Sequence, residues 1–362
     1  MKNVFGHNLT VTLFGESHGV AIGAVLDGMP SGVKVDMDYI NQKLELRKPY
    51  GKISTSRVEK DEIEILSGVF NGYTTGTAIA LIIKNTCQNS KDYTDLKIKP
   101  RPSHADYTAE IKYGGFQDYR GGGHFSGRVT TALVAVGAIV EKALKDKGIY
   151  IGTHIKAIQD IVDREFLAIK EDITSLSNTK FAVLDLEKKD KMQALIEKVA
   201  MDGDSVGGVL ETAIIGLPVG VGEPWFDGIE SVLSHAIFSI PAVKGVEFGL
   251  GFNYKNEFGS TSNDEFMFDN GKVITKTNNN GGINGGISNG MPVIMRTAIK
   301  PTPSIYKEQN TVNLQTGENV SLQIKGRHDP AIIHRARVVV DMMTALALGD
   351  LLITNYGANF LK

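Results

Sequence analysis

Two histidines stand in short loops where an imidazole could move a proton. His18 lies in GESHG (15–19), between two glycines at the end of a strand-like run, and His104 lies in RPSHADYT (101–108). An imidazole titrates near neutral pH, so either ring can serve as general acid or base. Either can equally be an ordinary turn residue. Asp106, two positions after His104, could orient that ring or cap a turn. GESHG joins two strand patterns and so lacks the strand–turn–helix setting of GxSxG hydrolases.

RGGGHFSGR (120–128) runs from three glycines through Ser126 into a strong helical pattern. Free N–H groups and the positive end of a helix would cradle a phosphate or carboxylate there, with Arg120 and Arg128 as charged donors. The alternative is a tight turn capped by Ser126. The segment is neither a Walker A loop nor a GxGxxG after a strand. In KPTPSI (300–305) the two prolines impose extended backbone, and Lys300 and Ser304 could hold a phosphate or simply belong to a stiff edge. In GRHDP (326–330), Asp329 as N-cap and Pro330 at the first helical position account for two residues but not for Arg327 and His328.

Arg47, Lys48, Lys52, Arg57, Arg101, Arg120, Arg128, Lys300, Arg327, Arg335 and Arg337 lie in or beside these clusters, although the chain carries 39 Lys+Arg against 41 Asp+Glu. Such a local basic cleft fits small polyanions; a nucleic-acid binder would be basic overall. With one cysteine, Cys87, and eight scattered histidines, neither a disulfide nor a metal site is expected.

The elements that must position these residues follow from periodicity. Residues 10–14 and 21–27 read as two strands joined by GESHG, and 77–84 as a buried strand. Residues 36–48 have helical spacing with Asp36 or Asp38 as cap, and 49–62 read as a loop or lid. Residues 86–126 read as a long loop, followed by a helix over 127–147 with an apolar stripe of Ala132, Val136, Val140 and Ala143/Leu144. Strands and turns are expected over 151–185, and helices over 188–202, 226–238 and 331–353. Glycine makes up 40 of 362 residues without a three-residue period, and 42% hydrophobic with 22% charged residues is a globular composition. No secretory leader or membrane-length apolar run is read, so a cytoplasmic protein is expected. No linker-like tract divides the chain; if the clusters form one site, residues 1–362 are a single domain.

GESHG, RPSHADYT, DYRGGGxxSGR, NGGIxGGIS, KPTPS and GRHDP, in this order over nearly the whole chain, resemble the chorismate synthase family. The resemblance implies an α+β fold, a β-α-β sandwich with a central helical layer between two antiparallel sheets. It implies a homotetramer. It also implies a lyase that converts 5-enolpyruvylshikimate 3-phosphate to chorismate and phosphate by anti-1,4-elimination, the last step of the shikimate pathway. Reduced FMN (FMNH2) is required although the net reaction is redox-neutral. NADPH enters only indirectly, to reduce the flavin; members of the family either reduce their own flavin or depend on an external reductase, and with no Rossmann fingerprint in the chain external supply is the expectation. The substrate partner is a small anion; no nucleic acid or membrane is implied.

Carried over residue by residue, His18 matches the acid for the departing phosphate, with Ser17 beside it. His104 matches the histidine that protonates reduced flavin near N1/O2, Asp329 the carboxylate near N5, and Ser126 a site serine. Arg47, Lys52, Arg101, Arg128 and Arg327 match substrate-binding cations. His124, Phe125, Ser126, Ala242, Gly285, Lys300, Pro301, Thr302, Pro303, Ser304 and Arg327 match flavin contacts. The chain departs from the family pattern at four places. His124-Phe125-Ser126-Gly127-Arg128-Val129 replaces a common Arg-Ser-Ser-Ala-Arg-Glu, Lys52 replaces an arginine, Pro241 an asparagine and Ser103 a glycine.

Overall fold

The computed structural model describes residues 3–55, 59–86, 95–167, 169–324 and 328–362. Strict alternation builds the first sheet: Ile22, Ala24 and Leu26 are fully buried on one strand, and Ile79, Leu81 and Ile83 on its neighbour. Its strands are β1 (Val4–Phe5), β2 (Thr10–Gly15), β3 (Ala21–Asp27), β4 (Ile63–Ser67) and β5 (Ile79–Lys84), in the order β1-β2-β3-β5-β4. A second five-stranded sheet contains β6 (Tyr150–Ile158), β7 (Ile161–Val162), β8 (Gly208–Ile215), β9 (Val243–Phe248) and β10 (Val293–Ile299), ordered β9-β10-β8-β6-β7. Every pairing in both sheets is antiparallel.

The α-helices of eight residues or more among the described residues are α1 (Met37–Arg47), α2 (Asp106–Tyr113), α3 (Thr130–Asp146), α4 (Ile169–Leu176), α5 (Leu186–Met201), α6 (Ile229–Phe238) and α7 (Ile333–Tyr356). Helix α3 lies on β3 and β5 of the first sheet, α7 lies on β6 and β8 of the second, and α3 packs against α7. The chain is therefore a β-α-β sandwich of the α+β class.

Several local expectations change. Residues 151–185 are not strands and turns alone, because α4 occupies 169–176. The α3 sequence reads as an amphipathic stripe, but every residue from 131 to 141 is buried. A helix enclosed between a sheet and other helices needs an apolar surface all round. Residues 86–126 are not one loop: α2 occupies 106–113 and short 3₁₀ turns occupy 95–97 and 120–125. Only Ala109 of α2 is buried, so the helix leaves no apolar period to read. Helix α7 starts at Ile333 with Ile332 as its cap, so Asp329 does not cap it. Arg337 also leaves the basic cleft. It is buried against Asp341 and donates to the carbonyls of Leu176 and Thr179, so it joins α4 to the helical layer.

Close approach of α3 and α7 requires Gly137. A Cβ there would lie 2.6 Å from Met342 Cβ and 3.0 Å from its carbonyl oxygen. Gly-to-Ala inside a helix normally adds about 1 kcal/mol of stability. Gly137→Ala is instead expected to remove about 1–2 kcal/mol, because overpacking outweighs propensity. A denaturant midpoint that falls with unchanged slope would agree; a rise would contradict the packing argument.

Candidate active site

The β2–β3 turn delivers His18 to the glycine loop. Ser17 N donates to the Gly123 carbonyl (3.1 Å), and Ser17 Oγ donates to the Arg120 carbonyl (3.2 Å) and lies 3.1 Å from His18 Nδ1. With its hydrogen given to Arg120, Ser17 Oγ accepts from Nδ1–H, which fixes the ring's orientation. Ser17 and His18 are both buried. Gly121, Gly122 and Gly123 all have positive φ. A Cβ on Gly121 would fall 2.1 Å from His18 Cε1, and one on Gly122 would fall 3.4 Å from His104 Cε1. The two imidazoles thus stand beside consecutive glycines of one loop. His124 Nδ1 lies 2.8 Å from the Gly15 carbonyl and docks the same loop on the end of β2. Ser126 accepts from Arg128 N (3.2 Å) and caps the turn that leads into α3. Phe125 is exposed and meets the edge of Tyr113.

His104 is set by a buried ion pair. Its Nδ1 lies 2.6 Å from Asp106 Oδ1, and Asp106 accepts from Arg101 N (3.0 Å), Nε (2.8 Å) and NH2 (2.8 Å). Arg101 NH1 also donates to Ser304 Oγ (3.3 Å), and Lys300 Nζ donates to the Ser103 carbonyl (2.5 Å), so KPTPS packs against RPSHAD. Burial alone would raise the Asp106 carboxyl. The hydrogen bonds from Arg101 and His104 outweigh it and hold Asp106 far below the usual carboxylate range. Burial lowers His104, the bond to Asp106 opposes this only in part, and the Arg101 charge lowers the ring further.

A carboxyl depressed in the folded state contributes stability above its unfolded pKa of about 4, and that contribution is lost as pH falls through the folded value. Asp106→Asn is therefore expected to flatten the fall in stability below pH ~4. Urea titrations at successive acid pH values measure it; a slope equal to that of the parent protein would remove Asp106 from the acid limb.

The cations differ in what already holds them. Arg128 donates from Nε to Asn85 Oδ1 (3.0 Å), meets Glu59 Oε2 at 3.1 Å and also pairs with Asp61. Arg47 donates to the Gly127 carbonyl (2.6 Å) and Thr130 Oγ1 (3.0 Å). Burial, then repulsion from Arg335, pulls Arg47 down to about 9, so an arriving anion would relieve a costly charge. Arg120 is paired with Asp118 (2.7 Å). Lys52 is exposed. Arg57 and Arg327 lie outside the described residues.

Asp329 accepts from Thr55 N (2.9 Å) and from Arg335 NH1 (2.7 Å), while Arg335 Nε donates to the Arg47 carbonyl (2.9 Å). The carboxylate therefore joins the start of α7 to the end of α1 and the segment after it. His334 reinforces the same join through Ser54 Oγ (2.7 Å); burial pulls this ring down to about 3.

Ala242 has positive φ, and its carbonyl accepts Lys300 N (2.9 Å). The Thr302 carbonyl accepts Ser205 Oγ (2.7 Å); Pro301 is exposed and Pro303 half-buried. Among the described residues, Thr302 Oγ1 and His328 Nε2 are buried polar atoms without a partner. Such groups call for a ligand or water. A ligand bearing both donors and acceptors would satisfy them. Gly285 lies in the turn between the short strands Ile283–Asn284 and Ile287–Ser288, and the adjoining Gly286 carbonyl holds Ile229 N. Glu59, Asp61, Asn85 and the clamping role of Arg335 are invisible as motifs, because their partners are distant in sequence.

Fold and site together define the class: an α+β enzyme whose site is built from loops around a helical layer between two antiparallel sheets. The model of the chorismate synthase family matches residues 9–353. Over 345 residues the chain is 48% identical to a chorismate synthase of Pyrococcus abyssi, covering 95% of this chain and 96% of the relative. Over 352 residues it is 49% identical to one of Lachnoclostridium phytofermentans, covering 97% and 95%. A crystal structure of chorismate synthase superposes with TM-score 0.75 at 32% identity, covering 97% of this chain and 94% of that one. The chain belongs to the chorismate synthase family. It is a carbon–oxygen lyase acting on a phosphate ester.

Proposed function

We propose that this chain converts 5-enolpyruvylshikimate 3-phosphate to chorismate and phosphate by anti-1,4-elimination, with reduced FMN bound, as the last step of the shikimate pathway. The observation that carries this reading is the placement of His18 and His104 beside Gly121 and Gly122, with Arg101 on Asp106 and Arg47 on the Gly127 carbonyl. In the elimination a C–O bond to phosphate and a ring C–H bond break, and the net reaction is redox-neutral.

When bound, reduced FMN would be the source of electron density for the allylic ester and an acceptor for the hydrogen lost from the ring. His18 holds the proton for the departing phosphate, with Ser17 fixing its Nδ1 side. In its protonated form His104 would offer the proton on Nε2 while Asp106 accepts from Nδ1. Asp329 offers a carboxylate steadied by Thr55 and Arg335, and Ser126 keeps the glycine loop in register through its cap. Arg47, Lys52, Arg101, Arg128 and Arg327 would bind the carboxylates and phosphate. The flavin would be held by His124, Phe125, Ser126, Ala242, Gly285, Arg327 and the segment Lys300, Pro301, Thr302, Pro303 and Ser304. Thr302 Oγ1 and His328 Nε2, unpartnered among the described residues, support that placement. NADPH acts only in reducing the flavin, through an external reductase.

The same reading takes residues 1–362 as one domain of a cytoplasmic homotetramer. Both sheets share one helical layer, and among the described residues no helix is long and apolar enough to cross a membrane. Anaerobic turnover with and without reduced FMN, with chorismate detected directly, tests the proposal. Chorismate formed only with reduced FMN is expected. Phosphate released equally without flavin would overturn it and favour a simple phosphate-ester enzyme.

A further inference from the structure

Asn85 follows the last residue of β5, and the sheet itself puts it beside the His18 turn: its backbone N donates to the Val20 carbonyl (3.1 Å). Its side-chain Nδ2 donates to the Glu16 carbonyl (3.0 Å) and to the Gly19 carbonyl (2.9 Å). These carbonyls lie on either side of Ser17 and His18. Its Oδ1 accepts from Arg128 Nε (3.0 Å), and Arg128 is itself held by Glu59 and Asp61. Two carbonyls demand the NH2 face and a guanidinium demands the oxygen, so only one amide orientation satisfies all three partners.

We infer that Asn85 is a positioning residue for His18: it spans the turn that carries the imidazole and ties that turn to the buried Arg128 ion pairs. Asn85 touches no reacting atom in this scheme, and its effect on turnover passes through His18. The effect on turnover rests on the reading of His18 as the proton donor. Aspartate is the sharpest substitute. It keeps the shape and can still accept from Arg128, but it sets oxygens against the carbonyls of Glu16 and Gly19. A carboxamide is thus required for its donors, not for its volume.

The test combines two measurements on the full-length protein. In the anaerobic assay, Asn85→Asp and Asn85→Ala are expected to lower kcat by up to about 100-fold, as for a misplaced catalytic group. KM should stay within about threefold, since Arg47 and Arg101 have other anchors and Arg128 keeps Glu59 and Asp61. The double variant His18→Ala/Asn85→Ala is expected to be no slower than His18→Ala alone, because both changes act on one group. Multiplying losses, as a general weakening of the fold would give, overturn the inference.

Hydrogen–deuterium exchange of the flavin-free protein is the second measurement. Backbone around residues 15–20 should exchange faster in both Asn85 variants, with α3 unchanged; unaltered exchange overturns the inference whatever the kinetics show. If His18→Ala is nearly as fast as the parent, the proton-donor reading fails, and exchange still decides whether Asn85 holds the turn. If Asn85→Ala does not fold, Asn85→Asp, which keeps the Arg128 partner, decides alone.

Discussion

His104→Ala is expected to lower kcat by about 100- to 10,000-fold, the range for losing a positioned general acid, with substrate affinity nearly unchanged. The separation follows from how the cluster is built. Arg101 reaches Asp106 through N, Nε and NH2, and Ser304 through NH1, so deleting the imidazole leaves the guanidinium in place. Substrate binding measured calorimetrically without flavin should therefore survive while turnover does not.

The pH profile gives a second handle. Burial lowers His104 below the usual imidazole value, so the protonated ring is the minor form of the free enzyme at neutral pH. If it acts as an acid, kcat/KM should rise as pH falls from neutrality toward that lowered value. The rise should be missing from His104→Ala, which separates the ring from titration of the substrate phosphate. A variant with near-normal kcat, or one that keeps the parent's acid rise, would remove His104 from the chemistry.

What was readable in the chain was local. The alternation of Ile22, Ala24 and Leu26 marks β3 because one face of a strand is buried. GESHG and RGGGHFSG announce a turn and a loop because glycine is needed where φ is positive. The placement of one against the other depends on strand pairing. Nothing near Gly121 in sequence says that its α-carbon meets an imidazole 103 positions earlier. The same holds for charge. Counting cations found a basic cleft, but Arg128 is already balanced by Glu59 and Asp61, Arg120 by Asp118, and Arg337 belongs to the helical layer. Asp329 looked like a helix cap because Pro330 follows it; its oxygens are used by Thr55 and Arg335, across the end of α1. Local signals thus found groups capable of chemistry, and topology decided which of them are held, and by what.

Gly121→Ala provides the most direct test of that topology. The new methyl would lie 2.1 Å from His18 Cε1, 2.3 Å from Nδ1 and 2.9 Å from Ser17 Oγ, distances that no real Cβ tolerates. The ring or the loop must move. The backbone also has φ of 60°, which costs an L-residue about 1–2 kcal/mol. The expected result is a loss of kcat of about 100-fold from displacement of the imidazole, together with a modest fall in stability.

Two neighbours separate the causes. Gly122→Ala has a backbone cost at least as large at φ of 88°, but its methyl would make only ordinary contacts, with His104 at 3.4 Å and Ser126 Cβ at 3.9 Å. It should lose similar stability and much less activity. A Cβ on Gly127 would meet nothing within 4 Å among the described residues, and its φ is not positive, so Gly127→Ala should resemble the parent in both. Equal losses of activity in the Gly121 and Gly122 variants would mean that loop strain, not contact with His18, governs the rate. Normal activity in Gly121→Ala would mean that His18 does not work where the folded chain holds it. Only steep loss at 121, slight loss at 122 and none at 127 matches an imidazole pressed against a single glycine.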